Sequence, residues 1–162
     1  ILTFLGMITA TILGRFEKTL ENVALLAAFI PIISGMSGNS GTQSLAVSVR
    51  NITTGEINEQ SKFRIALREA GSGVLSGVVC STILFTIIVA IYHQPLLALI
   101  VAGSLTCAMT VGTFVGSMIP LLMNKLNIDP AVASGPFITT INDIISMLIY
   151  FGLATSFMAY LI

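Results

Sequence analysis

Apolar residues run along the chain in five blocks, at residues 1–14, 23–49, 70–91, 96–123 and 131–161, and nearly all the charge lies between them. About twenty apolar residues rising ~1.5 Å each cross a bilayer core. The pattern therefore predicts an all-α integral membrane protein with five transmembrane helices in a single transmembrane domain spanning residues 1–162. The first block is short for a span. It has no basic leader and no A-x-A-like end, so it reads as the tail of a longer first helix rather than as a signal peptide, and the chain as a piece of a longer protein.

Four connections join the blocks. Residues 15–22 (RFEKTLEN) and 92–95 (YHQP) fall on one side, residues 50–69 (RNITTGEINEQSKFRIALRE) and 124–129 (NKLNID) on the other. The second pair carries Arg50, Lys62, Arg64, Arg68 and Lys125, the first only Arg15 and Lys18. The positive-inside rule makes the second pair cytoplasmic, which puts the N-terminus in the cytoplasm and Ile162 outside, in a plasma (inner) membrane. His93, beside Tyr92 in the outer turn, reads as part of the aromatic belt. The Asn51–Ile52–Thr53 acceptor pattern falls on the cytoplasmic side and is discounted.

Composition agrees with the blocks. The chain is 55 % hydrophobic and 9 % charged, with a mean hydropathy of +0.99, too few charges to clothe a water-soluble surface. A net charge of zero with no dense basic cluster excludes a nucleic-acid partner and leaves membrane lipid as the surroundings. Cys80 and Cys107 stand in separate apolar blocks without a CxxC or His neighbour, so they read as buried small hydrophobes. Gly73-x-x-x-Gly77 and Gly112-x-x-x-Gly116 predict close helix contacts.

Two blocks are chemically unusual. Residues 34–44 (SGMSGNSGTQS) lie inside the second and would be a loop in a soluble protein. Either the segment breaks into a helix and a re-entrant piece, or it stays helical with Gly35, Gly38, Thr42 and Leu45 as a small polar stripe. Asn39 and Gln43 offer more hydrogen-bonding groups than close packing needs. The fifth block carries Asp143 near mid-span, while Glu17, Glu21, Glu56, Glu59, Glu69 and Asp129 sit in connections or at span ends. A carboxylate there is costly unless it meets water, a cation or a partner. Val132, Gly135, Thr139, Asp143 and Ser146 or Met147 share a helical face with it, and Pro136 is expected to free the carbonyl of Val132. Such hard oxygen donors suit Mg²⁺ or Ca²⁺ rather than soft metals.

Three stretches together resemble the membrane domain of the MgtE family of magnesium channels: residues 29–44 (FIPIISGMSGNSGTQS), 49–56 (VRNITTGE) and 129–143 (DPAVASGPFITTIND). The resemblance implies a homodimer with its ion pathway along the subunit interface, lined by the second and fifth helices. It implies Asp143 as the central metal-site carboxylate, with the backbone carbonyl of Thr139 one turn earlier and Gly135 a further turn back, where the best-known relatives carry asparagine. It implies Gly38 and Thr42 as pore-lining, Glu17 and Glu21 as acids near the outer mouth, and Mg²⁺ as the transported ion, with Co²⁺ and Mn²⁺ as further candidates. The family's cytoplasmic gating region has no counterpart in these residues.

Conduction of a largely hydrated Mg²⁺ fits these residues, because the ion sheds water reluctantly and must be bound weakly enough to leave. A secondary Na⁺-coupled exchanger, as in related eukaryotic solute carriers, is the nearest rival; it would need a counter-gradient. A non-transporting scaffold would make Asp143 matter only for stability. An intramembrane aspartyl protease needs two opposed carboxylates. One chain supplies one, with no protease-like motif, so no enzyme is expected.

Overall fold

The computed structural model describes residues 2–16, 24–55 and 62–157, and they are helical almost throughout. Five α-helices follow in order: α1 Leu2–Arg15, α2 Ile30–Thr53, α3 Lys62–Tyr92, α4 Pro95–Lys125 and α5 Gly135–Ser156. Short 3-10 turns, Ala24–Phe29 and Pro130–Val132, precede α2 and α5. By length and composition α3, α4 and α5 suffice to cross a membrane, whereas α1 is apolar but shorter. The 24 residues of α2 reach ~36 Å at ~1.5 Å each; its serines, glycines and amides are what hold its hydropathy down.

The second block is thus one continuous helix from Ile30, and the re-entrant alternative is overturned. Pro31 sits in its first turn, where no intrahelical donor is lost. Gly38 and Gly41 survive mid-helix because α5 and α4 pack against them, as described below, whereas Gly35 is exposed.

Three helix starts differ from the hydropathy blocks. The helix α2 starts at Ile30 rather than residue 23, residues 24–29 forming a 3-10 turn before it, and it runs on to Thr53 rather than ending at residue 49. The helix α3 starts at Lys62 rather than residue 70, because Lys62–Glu69 (KFRIALRE) is rich in helix formers although too charged to count as membrane-spanning. The helix α5 starts at Gly135 rather than residue 131. Ser134 is extended at its N-cap and Pro136 falls in the first turn, so that proline breaks no helical hydrogen bond. The carbonyl of Val132 is accordingly not freed; it accepts the Ser134 N–H at 2.8 Å. Val132 itself lies outside the helix and is exposed.

The bundle is built on α4, which packs against α3, α2 and α5, while α1 leans on α5. Some 61 % of the apolar stretch of α4 is buried within the chain, against 17 % for α3, which makes α4 the axis and α3 a peripheral helix. One apolar cluster, with Leu26, Phe29, Ile88, Leu97, Leu105, Tyr150 and Phe151, fills the half nearer the α3–α4 turn. A smaller one around Leu45, Ala133 and Ile138 fills the opposite half. The Tyr150 hydroxyl donates to the Leu26 carbonyl at 2.9 Å, tying the 3-10 turn before α2 to α5.

Both Gly-x-x-x-Gly pairs are contact points. A Cβ on Gly73 would stand 2.9 Å from the Met109 carbonyl oxygen, and one on Gly77 3.0 Å from Thr106 Cα. Gly112 meets Ser37 and Gly116 meets Gly41 in the same manner across the α2–α4 contact. Serines stitch these contacts: Ser37 Oγ donates to Ala108 O at 2.8 Å, Ser48 and Ser117 hydroxyls pair at 2.7 Å, and Ser81 Oγ donates to Ala102 O at 2.8 Å. The thiols are unpaired, but the expectation that both are buried fails. Cys80 is half-buried and Cys107 exposed, since an apolar environment in a bilayer includes the lipid. His93 takes a left-handed conformation, φ 54°, in the turn between α3 and α4.

Candidate functional site

The antiparallel helices α2 and α5 meet along a seam of three rungs. Ser34 Oγ donates a short hydrogen bond to Asp143 Oδ1. One turn along, Gly38 faces Thr139, whose Cγ2 would lie 3.3 Å from a Cβ at Gly38. A further turn along, Thr42 faces Gly135, with Thr42 Cγ2 3.7 Å from a Cβ placed there. Each step of four on α2 is answered by a step of four in the opposite direction on α5. Five residues singled out from the sequence, Asp143, Thr139, Gly135, Thr42 and Gly38, are therefore brought together. Glu17 and Glu21 lie outside the described residues.

The rungs place side chains selectively. Thr139 Oγ1 turns back to the Pro136 carbonyl at 3.0 Å, and Thr42 Oγ1 to Asn39 O at 2.8 Å. Both threonine hydroxyls thus spend their proton on their own helix. Asp143 is half-buried, and it alone brings a carboxylate to the seam. Among the described residues no three His, Cys, Asp or Glu side chains come together.

The helix α2 has distinct faces. Ser37, Gly41, Ser44 and Ser48 are buried and point toward α4 and α3, where Ser44 Oγ donates to Glu69 Oε2 at 2.8 Å. Next to the seam, Gly35, Asn39, Gln43 and Ala46 are exposed. Hence the stripe expected from Gly35, Gly38, Thr42 and Leu45 divides: Gly35 is exposed, Gly38 and Thr42 form rungs, and Leu45 sinks into the smaller apolar cluster. Two exposed primary amides, one helical turn apart in a membrane helix, need water or a partner surface rather than hydrocarbon.

Two contributors were not assigned from the sequence. Ser34, four residues before Gly38, lies on the same helical face as the rungs, and that spacing was the available signal. Asn142 is fully buried where α2, α4 and α5 meet. Its Nδ2 lies 3.4 Å from both Ser37 O and Gly112 O, and its Oδ1 is buried without a partner among the described residues. It wedges α5 against the glycines of α2 and α4, which sets the rotation that turns the neighbouring Asp143 toward Ser34.

A profile of the MgtE family, described as "Divalent cation transporter", matches residues 30–153, which takes in every rung of the seam. The chain is 45 % identical over 157 residues to the magnesium transporter MgtE of Bacillus subtilis, covering 97 % of this chain and 35 % of that protein. It is 42 % identical over 161 residues to the magnesium transporter MgtE of Enterococcus faecalis, covering 99 % and 36 %. Identity to the Thermus thermophilus protein of the same name is 36 % over 156 residues, covering 95 % and 34 %. The chain spans about a third of the length of these curated relatives. By this match over most of its residues, the chain belongs to the MgtE family of divalent cation transporters.

Proposed function

We propose that this chain forms the membrane pore of a magnesium channel, and that two copies enclose a water-filled path between their α2–α5 seams. The observation that carries the reading is Asp143: a mid-helix carboxylate, half-buried, held by Ser34 beside an exposed polar face of α2. In a dimer, two Asp143 carboxylates flank the path and attract a dication. The Thr139 carbonyls and the amides of Asn39 and Gln43 hydrogen-bond the ion's water shell, while Gly38, Thr42 and Gly135 keep room for it. One carboxylate per copy is too few ligands for a dehydrated Mg²⁺, which demands an octahedron of oxygens. Outer-shell binding of a largely hydrated ion suits this donor set and lets the ion leave. Glu17 and Glu21 would raise cation concentration at the outer mouth, and Co²⁺ and Mn²⁺ are the other divalent ions to compare. The cation-rich ends at Lys62 and Lys125 support a cytoplasmic side for the N-terminal end of α1.

Flux into sealed vesicles tests this reading. Mg²⁺ entry should proceed with no Na⁺ gradient and should reverse when the Mg²⁺ gradient or the membrane potential is reversed. Entry that stops without a Na⁺ gradient would overturn conduction in favour of coupled exchange. A milder effect is expected of Ser34→Ala. The carboxylate remains but loses a donor that fixes its rotamer, a hydrogen bond to a charged group contributing about 1.5–3 kcal/mol in favourable cases. Mg²⁺ flux should fall severalfold without being lost, with unchanged elution on size exclusion.

A further inference from the structure

Four hydroxyls stand along or beside the α2–α5 seam. Thr42, Thr139 and Ser146 turn back on their own helices, donating to Asn39 O, Pro136 O and Asp143 O. That is the usual choice for a hydroxyl inside a helix. Ser34 departs from it: its Oγ crosses to α5 and donates to Asp143 Oδ1. Among the described residues no other side chain bonds this carboxylate.

Both ends of this contact are fixed by their neighbours. On α2, Ile33 is buried in the larger apolar cluster, and Ser37 donates to Ala108 O across the α4 contact. On α5, Asn142 and Ser146 are fully buried on either side of Asp143. Neither backbone is free to turn, so the mobile part is the Asp143 side chain, and Ser34 holds it toward α2. Beside Ser34, a Cβ on Gly35 would meet nothing within 4 Å, which leaves a released carboxylate room to swing. A hydroxyl also differs from a lysine or arginine in this place, because it orients the carboxylate without cancelling its charge. The contact thus sets how closely the carboxylate approaches a cation and leaves the attraction intact.

We propose that Ser34 is a specificity-determining residue for Mg²⁺ over Ca²⁺, an inference that rests on the hydrated-ion pathway proposed above. Ser34 holds Asp143 back against α2, so that the carboxylate meets a cation only through a water. Mg²⁺ sheds water reluctantly and passes under that restraint, whereas Ca²⁺ takes carboxylate oxygens directly, singly or in pairs. With the hydroxyl present, this direct contact is denied to Ca²⁺. Without it, Asp143 swings into the path and Ca²⁺ binds it oxygen to cation. Shortening that distance from ~5 Å to ~2.4 Å about doubles the Coulomb attraction. Ca²⁺ is then held on the order of tenfold more tightly and obstructs the path.

Ca²⁺ block of Mg²⁺ entry into sealed vesicles tests this. Mg²⁺ is held well below half-saturation, so that the half-blocking Ca²⁺ concentration reports Ca²⁺ binding alone. Ser34→Ala should lower that concentration on the order of tenfold. Ser34→Thr keeps the hydroxyl and should keep the unaltered value, whereas Ser34→Val, the same shape without it, should match alanine. Should Ser34→Ala fail to fold, the threonine and valine pair decides. Ser37→Ala removes a hydroxyl from the face of α2 that meets α4 and should leave Ca²⁺ block unchanged. A purely structural serine would lower Mg²⁺ flux and leave the half-blocking concentration where it was. That result, or equal values for threonine and valine, would overturn the assignment. A rise in the half-blocking concentration would overturn it too, by making the hydroxyl itself a Ca²⁺ ligand. Mg²⁺ entry that requires a Na⁺ gradient would instead remove the pathway beneath it, so the two failures are told apart.

Discussion

Mg²⁺ flux in vesicles should fall to background when Asp143 is replaced by alanine. A carboxylate separated from a dication by one water lies ~5 Å from it, and at water-like dielectric two such groups contribute about 3 kcal/mol. That corresponds to a loss of more than about a hundredfold in ion occupancy. Asp143→Asn keeps the shape and an acceptor for the Ser34 hydroxyl but removes the charge. It should retain only residual flux, on the order of a hundredth, because the same charge attraction is lost. Both variants should elute like the unaltered protein on size exclusion, because the Asp143 side chain is half-buried and replacing it costs the hydrogen bond from Ser34 without overfilling the seam. Unaltered flux through correctly assembled Asp143→Ala would remove the pore reading. A loss of assembly with preserved flux per folded protein would make the residue structural.

Much of this arrangement was readable in the residues, for identifiable reasons. Hydropathy marks what is apolar, so it delivered the five blocks. Helical periodicity placed Gly38 with Thr42, and Gly135 with Thr139 and Asp143, on shared faces. Neither signal contains the register between helices. That Ser34 answers Asp143, and Gly38 answers Thr139, depends on how α2 and α5 slide past each other, and this is set by the glycines and Asn142 at the contact with α4. Hydropathy also fails where it cannot separate lipid from core, which is why Cys107 is exposed. It misplaced the start of α5 by treating an apolar run as helix. The local chemistry held the correction, since Ser134 before Gly135 and Pro136 is an N-terminal cap pattern, and it returns the Val132 carbonyl to a turn. The charged residues Lys62–Glu69 hid a helical extension for the converse reason: helix propensity is indifferent to hydropathy.

The second large effect is expected at a residue with no polar atom in its side chain. A methyl group on Gly116 would stand 2.1 Å from the Gly41 carbonyl oxygen and 2.9 Å from Gly41 Cα. These are backbone atoms inside a helix, so no side-chain rotation relieves the clash, and α2 and α4 must separate by ~1 Å. Overpacking of this kind costs about 1–3 kcal/mol or more. Gly116→Ala should therefore lower the thermal midpoint in detergent sharply. Gly103→Ala, on the same helix with nothing within 4 Å of the added carbon, should be neutral or mildly stabilising, since alanine favours a helix over glycine by up to ~1 kcal/mol. Similar melting of the two variants would refute the close α2–α4 approach. The effect should also reach the seam. Because α2 carries Ser34, Gly38 and Thr42 on a face beside the one that meets Gly116, pushing it off α4 displaces all three rungs together. Mg²⁺ flux per folded Gly116→Ala protein should then fall, although the substituted position lies outside the rungs. Flux that is preserved in the surviving folded fraction would show instead that α2 and α5 move as one unit, with their register held by the rungs themselves.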